Sequence, residues 1–193
     1  MMFKKNFLIA CIINLIFFVV YIINPSILAN ASQLDTYSVN NASDLLWISQ
    51  QVNQGNSAVQ NGNIILNSSI DLSQVSSWKP IGNAEYPFQG TFEGNNFTIT
   101  NLNISTTSND SKYNGLFGYT KNSIIKNLNI DLSQQSEISI EDSHIYSGLL
   151  VGYNSGTIEN CTVKGDISVS SLSSYVYTGL LCGYNTGSIN NCS

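Results

Sequence analysis

Short apolar runs separated by polar turns recur along the chain from about residue 63 to residue 193. Isoleucine, valine, leucine, threonine and tyrosine fill the runs, while asparagine, serine and glycine bound them, a pattern typical of strands between turns. No repeat carries the apolar periodicity of an amphipathic helix, which disfavours alternating strands and helices. The pattern therefore predicts an all-β fold.

The runs belong to an internal repeat. Five segments follow the pattern Ile-x-Asn-x-x-(Ile/Val), the last of them clipped, and they begin at Ile65, Ile99, Ile125, Ile158 and Ile189. A Gly-Leu element precedes the last three copies, at residues 115–119, 148–153 and 179–184. Repeats of this length indicate a solenoid or a propeller, and a propeller blade needs a longer unit. We expect a parallel β-helix in which each repeat is one coil and equivalent residues stack ~4.8 Å apart.

The asparagine at the third motif position has a structural explanation. Asparagine tolerates a positive φ, so it can turn the corner between two strands, and stacked amides can hydrogen-bond from one coil to the next. The apolar positions that flank it are expected to point inward, with isoleucine stacked on isoleucine.

One helix is predicted, in the segment before the first coil. Residues 41–55 read as an amphipathic helix that starts at Asn41 or Ser43 and ends near Gly55. Leu45, Ile48 and Val52 share one face, and we expect Leu46 and Trp47 to broaden it. Such a helix would act as an N-terminal cap that covers the open end of a β-helix.

The first 31 residues read as a secretory signal peptide. Lys4 and Lys5 precede an apolar run over residues 7–23, and Ala29 and Ala31 form an A-x-A cleavage signal. An uncleaved membrane anchor is the alternative, since the run is near the shortest length that spans a bilayer. A lipoprotein signal ending at Cys11 is disfavoured because the apolar run continues well past it. We therefore expect a secreted or cell-surface protein.

Residues 32–40 would form a short leader and residues 41–193 a single β-helix domain, with the coils over about 63–193. Because the sequence stops inside the fifth motif copy, we expect it to be truncated at the C-terminus. An open strand edge there would favour self-association.

Charge excludes one class of partner and the histidine count excludes one class of site. The formal net charge is -5, and the seven basic residues are all lysine, which argues against nucleic acid as a partner. The single histidine, His144, rules out zinc sites built from two histidines. No cofactor is expected.

Two groups of titratable residues are candidates for a catalytic or metal-binding role. Asp71, Asp131 and Asp166 follow strands at similar places, so a carboxylate ladder of the kind some β-helix polysaccharide enzymes use is one interpretation. Solvated turn residues are the favoured interpretation, because the offsets differ between copies. His144, near Glu141 and Asp142, could serve a metal or acid–base site, but an unspecialised, exposed histidine is favoured.

Aromatic and cysteine positions also repeat. Tyr119, Tyr153 and Tyr184 are equivalent, so they could form a ligand-contact face for a glycan or a protein, with packing between coils as the favoured alternative. Cys161 and Cys192 both hold the fourth motif position, filled by leucine at residues 102 and 128, and are expected to stack on adjacent coils, as thiols or as a disulfide. Cys182 aligns with Val151 and would be a third, unpaired thiol.

The ordered series of elements resembles a known family. Trp78-Lys79-Pro80-Ile81-Gly82, the Gly-Thr-Phe-Glu-Gly-Asn segment at 90–95 and the Gly-Leu elements are similar to GLUG-motif bacterial surface proteins, whose repeats occur in adhesins and in the N-terminal regions of IgA-cleaving metallopeptidases. The resemblance covers about residues 41–193. It implies surface exposure and a binding or spacing role, and it places no catalytic residue on this chain.

These observations lead to a non-catalytic, adhesin-like binding or spacer module as the expected function. A β-helix polysaccharide-active enzyme using aspartates is the alternative, and a stalk fragment of a larger surface peptidase is a third interpretation. The partner itself is unknown from the sequence; a host or cell-surface glycan or protein is expected.

Overall fold

A computed structural model describes residues 34–103, 112–132, 144–167 and 175–193, all within one compact unit, Leu34–Ser193. The predicted signal peptide lies outside the described residues. Two helices are described, α1 (Ala42–Asn53) and α2 (Ser57–Gln60). The strands, in chain order, are β1 (Thr36–Val39), β2 (Asn63–Leu66), β3 (Ile70–Asp71), β4 (Thr91–Glu93), β5 (Thr98–Thr100), β6 (Tyr113–Asn114), β7 (Phe117–Lys126), β8 (Asn129–Asp131), β9 (His144–Gly148), β10 (Val151–Glu159), β11 (Thr162–Lys164), β12 (Tyr175–Gly179), β13 (Cys182–Asn185) and β14 (Ser188–Asn190).

Within the described residues the strands form three sheets, and the strand pairs in all three are parallel. The largest has the order β1-β2-β4-β7-β10-β13, with β14 also paired to β10. The second runs β3-β5-β8-β11 and the third β6-β9-β12. Neighbours in each sheet come from successive repeats. The predicted all-β class is confirmed, with parallel pairing between neighbouring strands.

Two apolar columns run through the interior. On the large sheet, paired residues put Ile64, Phe92, Ile125, Ile158 and Ile189 in one column. On the second sheet the column is Ile70, Ile99, Ile130 and Val163. The first four side chains of the first column are fully buried, and each contributes roughly 1.5–3 kcal/mol relative to exposure. These columns hold the successive repeats in register.

The register of the first two motif copies corrects the predicted stacking of isoleucine on isoleucine. Ile65 is half-buried and lies in the column of Glu93 and Lys126, not in that of Ile125. Ile99 pairs with Ile130, at the end of the later motif, rather than with Ile125 at its start. Phe92 takes the place opposite Ile125. Leu102 therefore does not hold the position of Leu128, although both are buried. The same Ile-x-Asn string occurs at two different corners of the repeat, so the string alone does not define the register.

Helix α1 begins and ends as the sequence indicates. The Asn41 side chain accepts a hydrogen bond from Asp44 N at 3.1 Å, and Gly55 follows the helix with a φ of 78°. Leu45, Ile48 and Val52 are buried in the core, as predicted.

The prediction for Leu46 and Trp47 was wrong, since they are 37% and 43% exposed. The outer side of helix α1 meets Tyr37 of β1 and the segment around Lys79, and these contacts leave both side chains partly uncovered. Strand β1, in the segment assigned as a leader, pairs with β2 and had no clear sequence signal.

The left-handed asparagines are confirmed at three motif corners. Asn127, Asn160 and Asn191 have φ values of 53°, 52° and 50°. Asn160 Nδ2 donates to Asn127 Oδ1 at 3.2 Å, and Asn127 Nδ2 donates to Glu93 Oε1 at 3.0 Å. Asn101 also has a positive φ but bonds to Asp71, at the other corner. Amide ladders thus join successive repeats on the outside, while the apolar columns join them inside.

Candidate functional site: a tyrosine array

Glycine allows two sheets to meet beside the tyrosines. A Cβ on Gly152 would lie 2.7 Å from both Asn114 N and Tyr146 O, and one on Gly183 would lie 2.4 Å from Ser147 N. These are backbone atoms that cannot move away independently. The missing side chains of Gly152 and Gly183 therefore let the third sheet approach the large sheet beside Tyr153 and Tyr184.

Six tyrosines beside these glycines form two columns, each of three residues. Tyr119, Tyr153 and Tyr184 are paired neighbours on the large sheet, with ring centroids 4.6 Å and 5.2 Å apart. The third sheet carries a second column, with centroids 5.3 Å and 5.2 Å apart and nearly parallel rings, made of Tyr113, Tyr146 and Tyr177. We call these six residues the tyrosine array.

The two columns contact each other edge to face. Tyr113 meets Tyr119 at 5.2 Å and 84°, and Tyr146 meets Tyr153 at 5.6 Å and 78°. Offset and edge-to-face pairs are the favoured aromatic geometries, worth about 0.5–1.5 kcal/mol each beyond area burial. The array therefore ties the third sheet to the large sheet as well as repeat to repeat.

The stacking decides which surface the array offers to a ligand. Because most ring faces cover one another, ring edges and hydroxyl groups remain available. Burial and the neighbouring phenols raise the pKa of Tyr113. Burial and a hydrogen bond with Tyr153 raise the pKa of Tyr119. The raised pKa values favour the neutral phenols of Tyr113 and Tyr119 at physiological pH. A phenol hydroxyl can both donate a hydrogen bond to a polar ligand and accept one from it.

The sequence identified half of this array. Tyr119, Tyr153 and Tyr184 lie together in one column, whereas the second column was missed. A signal for it was present, since Tyr113, Tyr146 and Tyr177 each lie two residues before the glycine that opens a Gly-Leu element. The exposed fraction rises along the columns, and Tyr177 and Tyr184 are 40% and 37% exposed.

The two motif cysteines lie next to each other. Cys161 N donates to Cys192 Sγ at 3.5 Å, and Ser193 N donates to Cys161 O at 3.0 Å. Both are thiols here, and burial raises the pKa of Cys161 to about 12. Cys182 pairs with Val151 in register, and burial raises its pKa to about 11. Such protonated thiols behave as small apolar side chains.

The register contradicts the carboxylate ladder, which was the disfavoured interpretation of these aspartates. The column on the second sheet reads Asp71, Thr100, Asp131 and Lys164, and Asp166 is not part of it. Asp71 and Asp131 are two strands apart, or about 9.6 Å. Hydrogen bonds from Asn101 and Ser73 lower the pKa of Asp71, which opposes the role of a general acid.

Other candidate chemistry finds little support in the described chain. His144 opens β9, but its side chain is not described, and Glu141 and Asp142 lie outside the described residues. Within the described ranges, no three His, Cys, Asp or Glu side chains cluster as metal ligands would. Neither described helix has the length and apolar character needed to cross a membrane.

Comparison with known proteins gives partial matches. The chain is 30% identical over 148 residues to halomucin of Haloquadratum walsbyi, covering 70% of this chain and 2% of halomucin. It is 35% identical over 88 residues to a putative Gly-rich membrane protein of Evansella cellulosilytica, covering 45% of this chain and 10% of that protein. The chain thus spans a small part of either relative. No solved structure matches it.

A family model matches the part of the chain that carries the centre of the array. The match covers residues 143–168, which include β9, β10 and β11 together with Tyr146, Tyr153 and Cys161. The resemblance noted in the sequence is thereby confirmed: residues 143–168 are a GLUG motif.

Proposed function

We propose that the chain is an exported, surface-displayed parallel β-helix that serves as a non-catalytic binding or spacer module of an adhesin-like protein. The carrying observation is the unbroken parallel column of Ser38, Ile65, Glu93, Lys126, Glu159 and Asn190, which crosses six strands of the large sheet. Helix α1 would cap its N-terminal end. In such a fold, length grows by adding repeats, as a spacer requires.

Location at the cell surface has separate support. The GLUG motif and the relatives named halomucin and Gly-rich membrane protein agree with a surface protein. The basic, apolar and A-x-A segments at residues 1–31 support export by a signal peptide. The relatives' names do not suggest an enzyme.

The tyrosine array is the proposed contact face for a host or cell-surface glycan or protein. Its ring centroids repeat every 4.6–5.3 Å along the two columns, close to the spacing of the strands. A repetitive ligand could therefore meet several repeats at once, which raises avidity without a deep pocket.

Enzymatic function is the weaker candidate. A polysaccharide-cleaving β-helix needs paired carboxylates, and the two ladder aspartates have Thr100 between them. A stalk fragment of a larger surface peptidase would share the whole geometry proposed here.

Export is tested by expressing the full chain in a bacterial host and sequencing the N-terminus of the mature protein. We expect it to start at Ser32 and to be removed from intact cells by added trypsin. An Ala31→Arg variant blocks the A-x-A signal and should retain the segment. Retention of the protein inside the cell would contradict export. Release of reducing ends from polysaccharides by the purified protein would contradict the non-catalytic role.

Self-association belongs to the same proposal, with a second copy as the partner. Leu180 and Ile189 are 45% and 39% exposed, whereas their equivalents one repeat earlier, Leu149 and Ile158, are fully buried. The surface that covers those equivalents is the next set of strands, so a second copy can cover Leu180 and Ile189 in the same way. Sedimentation should show dimers that Leu180→Lys abolishes and Lys121→Gln, on an exposed strand position, does not. A wild-type chain that is monomeric at high concentration contradicts this.

A further inference from the structure

The outer side of helix α1 carries an open groove that no other described element covers. The groove has a volume of about 680 Å³, and it runs between the helix and the segment of Ser77 and Lys79. Ser49 Oγ donates to Lys79 O at 2.6 Å, and Asn53 Nδ2 donates to Pro80 O at 2.9 Å. These bonds attach the segment to the helix, so the groove has a fixed floor.

Trp47 stands at the border of this groove. Its indole ring packs against Tyr37 with centroids 5.8 Å apart and also borders a second, smaller groove beside β1. Its exposed fraction of 43% is large for a tryptophan, and Leu46 beside it is 37% exposed. An exposed apolar ring next to a concave surface is a feature of ligand sites.

The remaining lining of the groove is polar, and it carries a positive charge on Lys79. Gln50, Gln54 and Ser77 are exposed along the groove, and these side chains both donate and accept hydrogen bonds. Among the described residues that line it, Lys79 is the only charged one and none carries a carboxylate. On a chain with a net charge of -5, this groove is a local cationic site.

From these features we infer that the groove is a binding site for an acidic sugar, with the ring of Trp47 under one sugar face and Lys79 paired to the sugar carboxylate. The surface exposure in the proposed function gives the site access to external glycans. The site lies on α1 and is separate from the tyrosine array. Amide and hydroxyl side chains match the many hydroxyl groups of a sugar ring, which each donate and accept.

An acidic peptide is the other occupant that the positive charge would admit. A peptide anchored on Trp47 would need a deep apolar pocket for a side chain or a free strand edge for its backbone. The groove lies between a helix and the segment of Ser77 and Lys79, so it offers no strand edge. The edge strand β1 lines the smaller groove, where the carboxylate of Asp44 would repel an acidic peptide. The sugar is therefore favoured, and the peptide is an outcome that the test must separate.

Tryptophan fluorescence of the full chain tests this directly, because the chain has two tryptophans and the other one is buried. Trp78 is 2% exposed and its Nε1 donates to Leu116 O. Tri-galacturonic acid should change the emission of Trp47 in a saturable way. Its methyl ester, which lacks the charges, should bind about tenfold more weakly.

Three variants make the test specific. Lys79→Gln should weaken tri-galacturonate binding about tenfold and leave the methyl ester unchanged, whereas Lys121→Gln should change neither. Trp47→Ala should abolish binding, measured by calorimetry, while keeping the wild-type circular dichroism spectrum. The inference is overturned if neither sugar binds, if both bind equally, or if only a glutamate-rich hexapeptide binds. If no sugar binds but the chain is still exported and removed from intact cells by trypsin, this inference fails while the proposed function stands.

Discussion

At the scale of single residues, asparagine acts through its backbone as well as its amide. Asn160 has a φ of 52° and bonds to the amide of Asn127. Alanine at this position loses the bond and meets the left-handed strain, roughly 1–2 kcal/mol, whereas glycine loses only the bond. We therefore predict that Asn160→Ala is about 1 kcal/mol less stable than Asn160→Gly, measured by urea denaturation.

Asn67 supplies the matched control for this prediction. It holds the third position of the first motif copy, but it is not among the residues with positive φ. The order should reverse there, because glycine only adds freedom to the unfolded chain. An equal loss for alanine and glycine at Asn160 would show that its φ contributes nothing.

Protonation of Cys161 predicts a pH dependence of stability. Burial raises its pKa to about 12, above the value of about 8.5 in an unfolded chain. The folded state therefore keeps a proton that the unfolded state loses. This contribution is fully present below about pH 8.5 and is lost as the pH rises toward 12.

The Cys161→Ala variant isolates that contribution, since the tyrosines titrate in both proteins. The free energy of unfolding should fall more steeply with pH in the wild type above about pH 8.5, by up to about 1.4 kcal/mol per pH unit. Urea denaturation at several alkaline pH values measures both slopes. Identical slopes would mean that the thiol is not buried in solution.

At the scale of elements, the contact between two sheets depends on glycine. A Cβ at Gly152 meets backbone atoms of Asn114 and Tyr146. Gly152→Ala should therefore lower the free energy of unfolding by about 2 kcal/mol. Ser155→Ala, in the same strand and half-buried, should change it by less than about 0.5 kcal/mol. Urea midpoints compare the two, and a neutral Gly152→Ala would mean that the sheets do not meet here.

Much of the element pattern could be predicted from the sequence. Strand content, the asparagine corners and α1 all follow from local preferences that the packing does not oppose. The register of the Ile99 copy did not follow, because the motif recurs at two corners and only pairing distinguishes them. The exposure of Trp47 could not be predicted either. The apolar periodicity of a helix shows which residues share a face, but it does not show how much of that face other elements cover.

At the scale of the whole molecule, the candidate site illustrates the same limit. The column of Tyr119, Tyr153 and Tyr184 lies on one strand position per repeat, so equivalence in the sequence was enough to find it. The second column sits on another sheet, and its contact with the first depends on tertiary packing through Gly152 and Gly183. The constant spacing of its tyrosines from the Gly-Leu elements indicates that they are equivalent, but it does not indicate that they contact the first column.

Stacking of successive repeats in parallel register fixes the distance between two strand positions on the large sheet, and that distance can be measured in solution. Spin labels attached through ketone-bearing residues at Ser38 and Asn190, both exposed, span five strand steps on the large sheet. Pulsed electron paramagnetic resonance should give a mean near 24 Å, and a label at Glu159 instead of Asn190 should shorten it by ~4.8 Å. Distances well beyond 30 Å, or an unchanged distance for the second pair, would contradict the parallel stack.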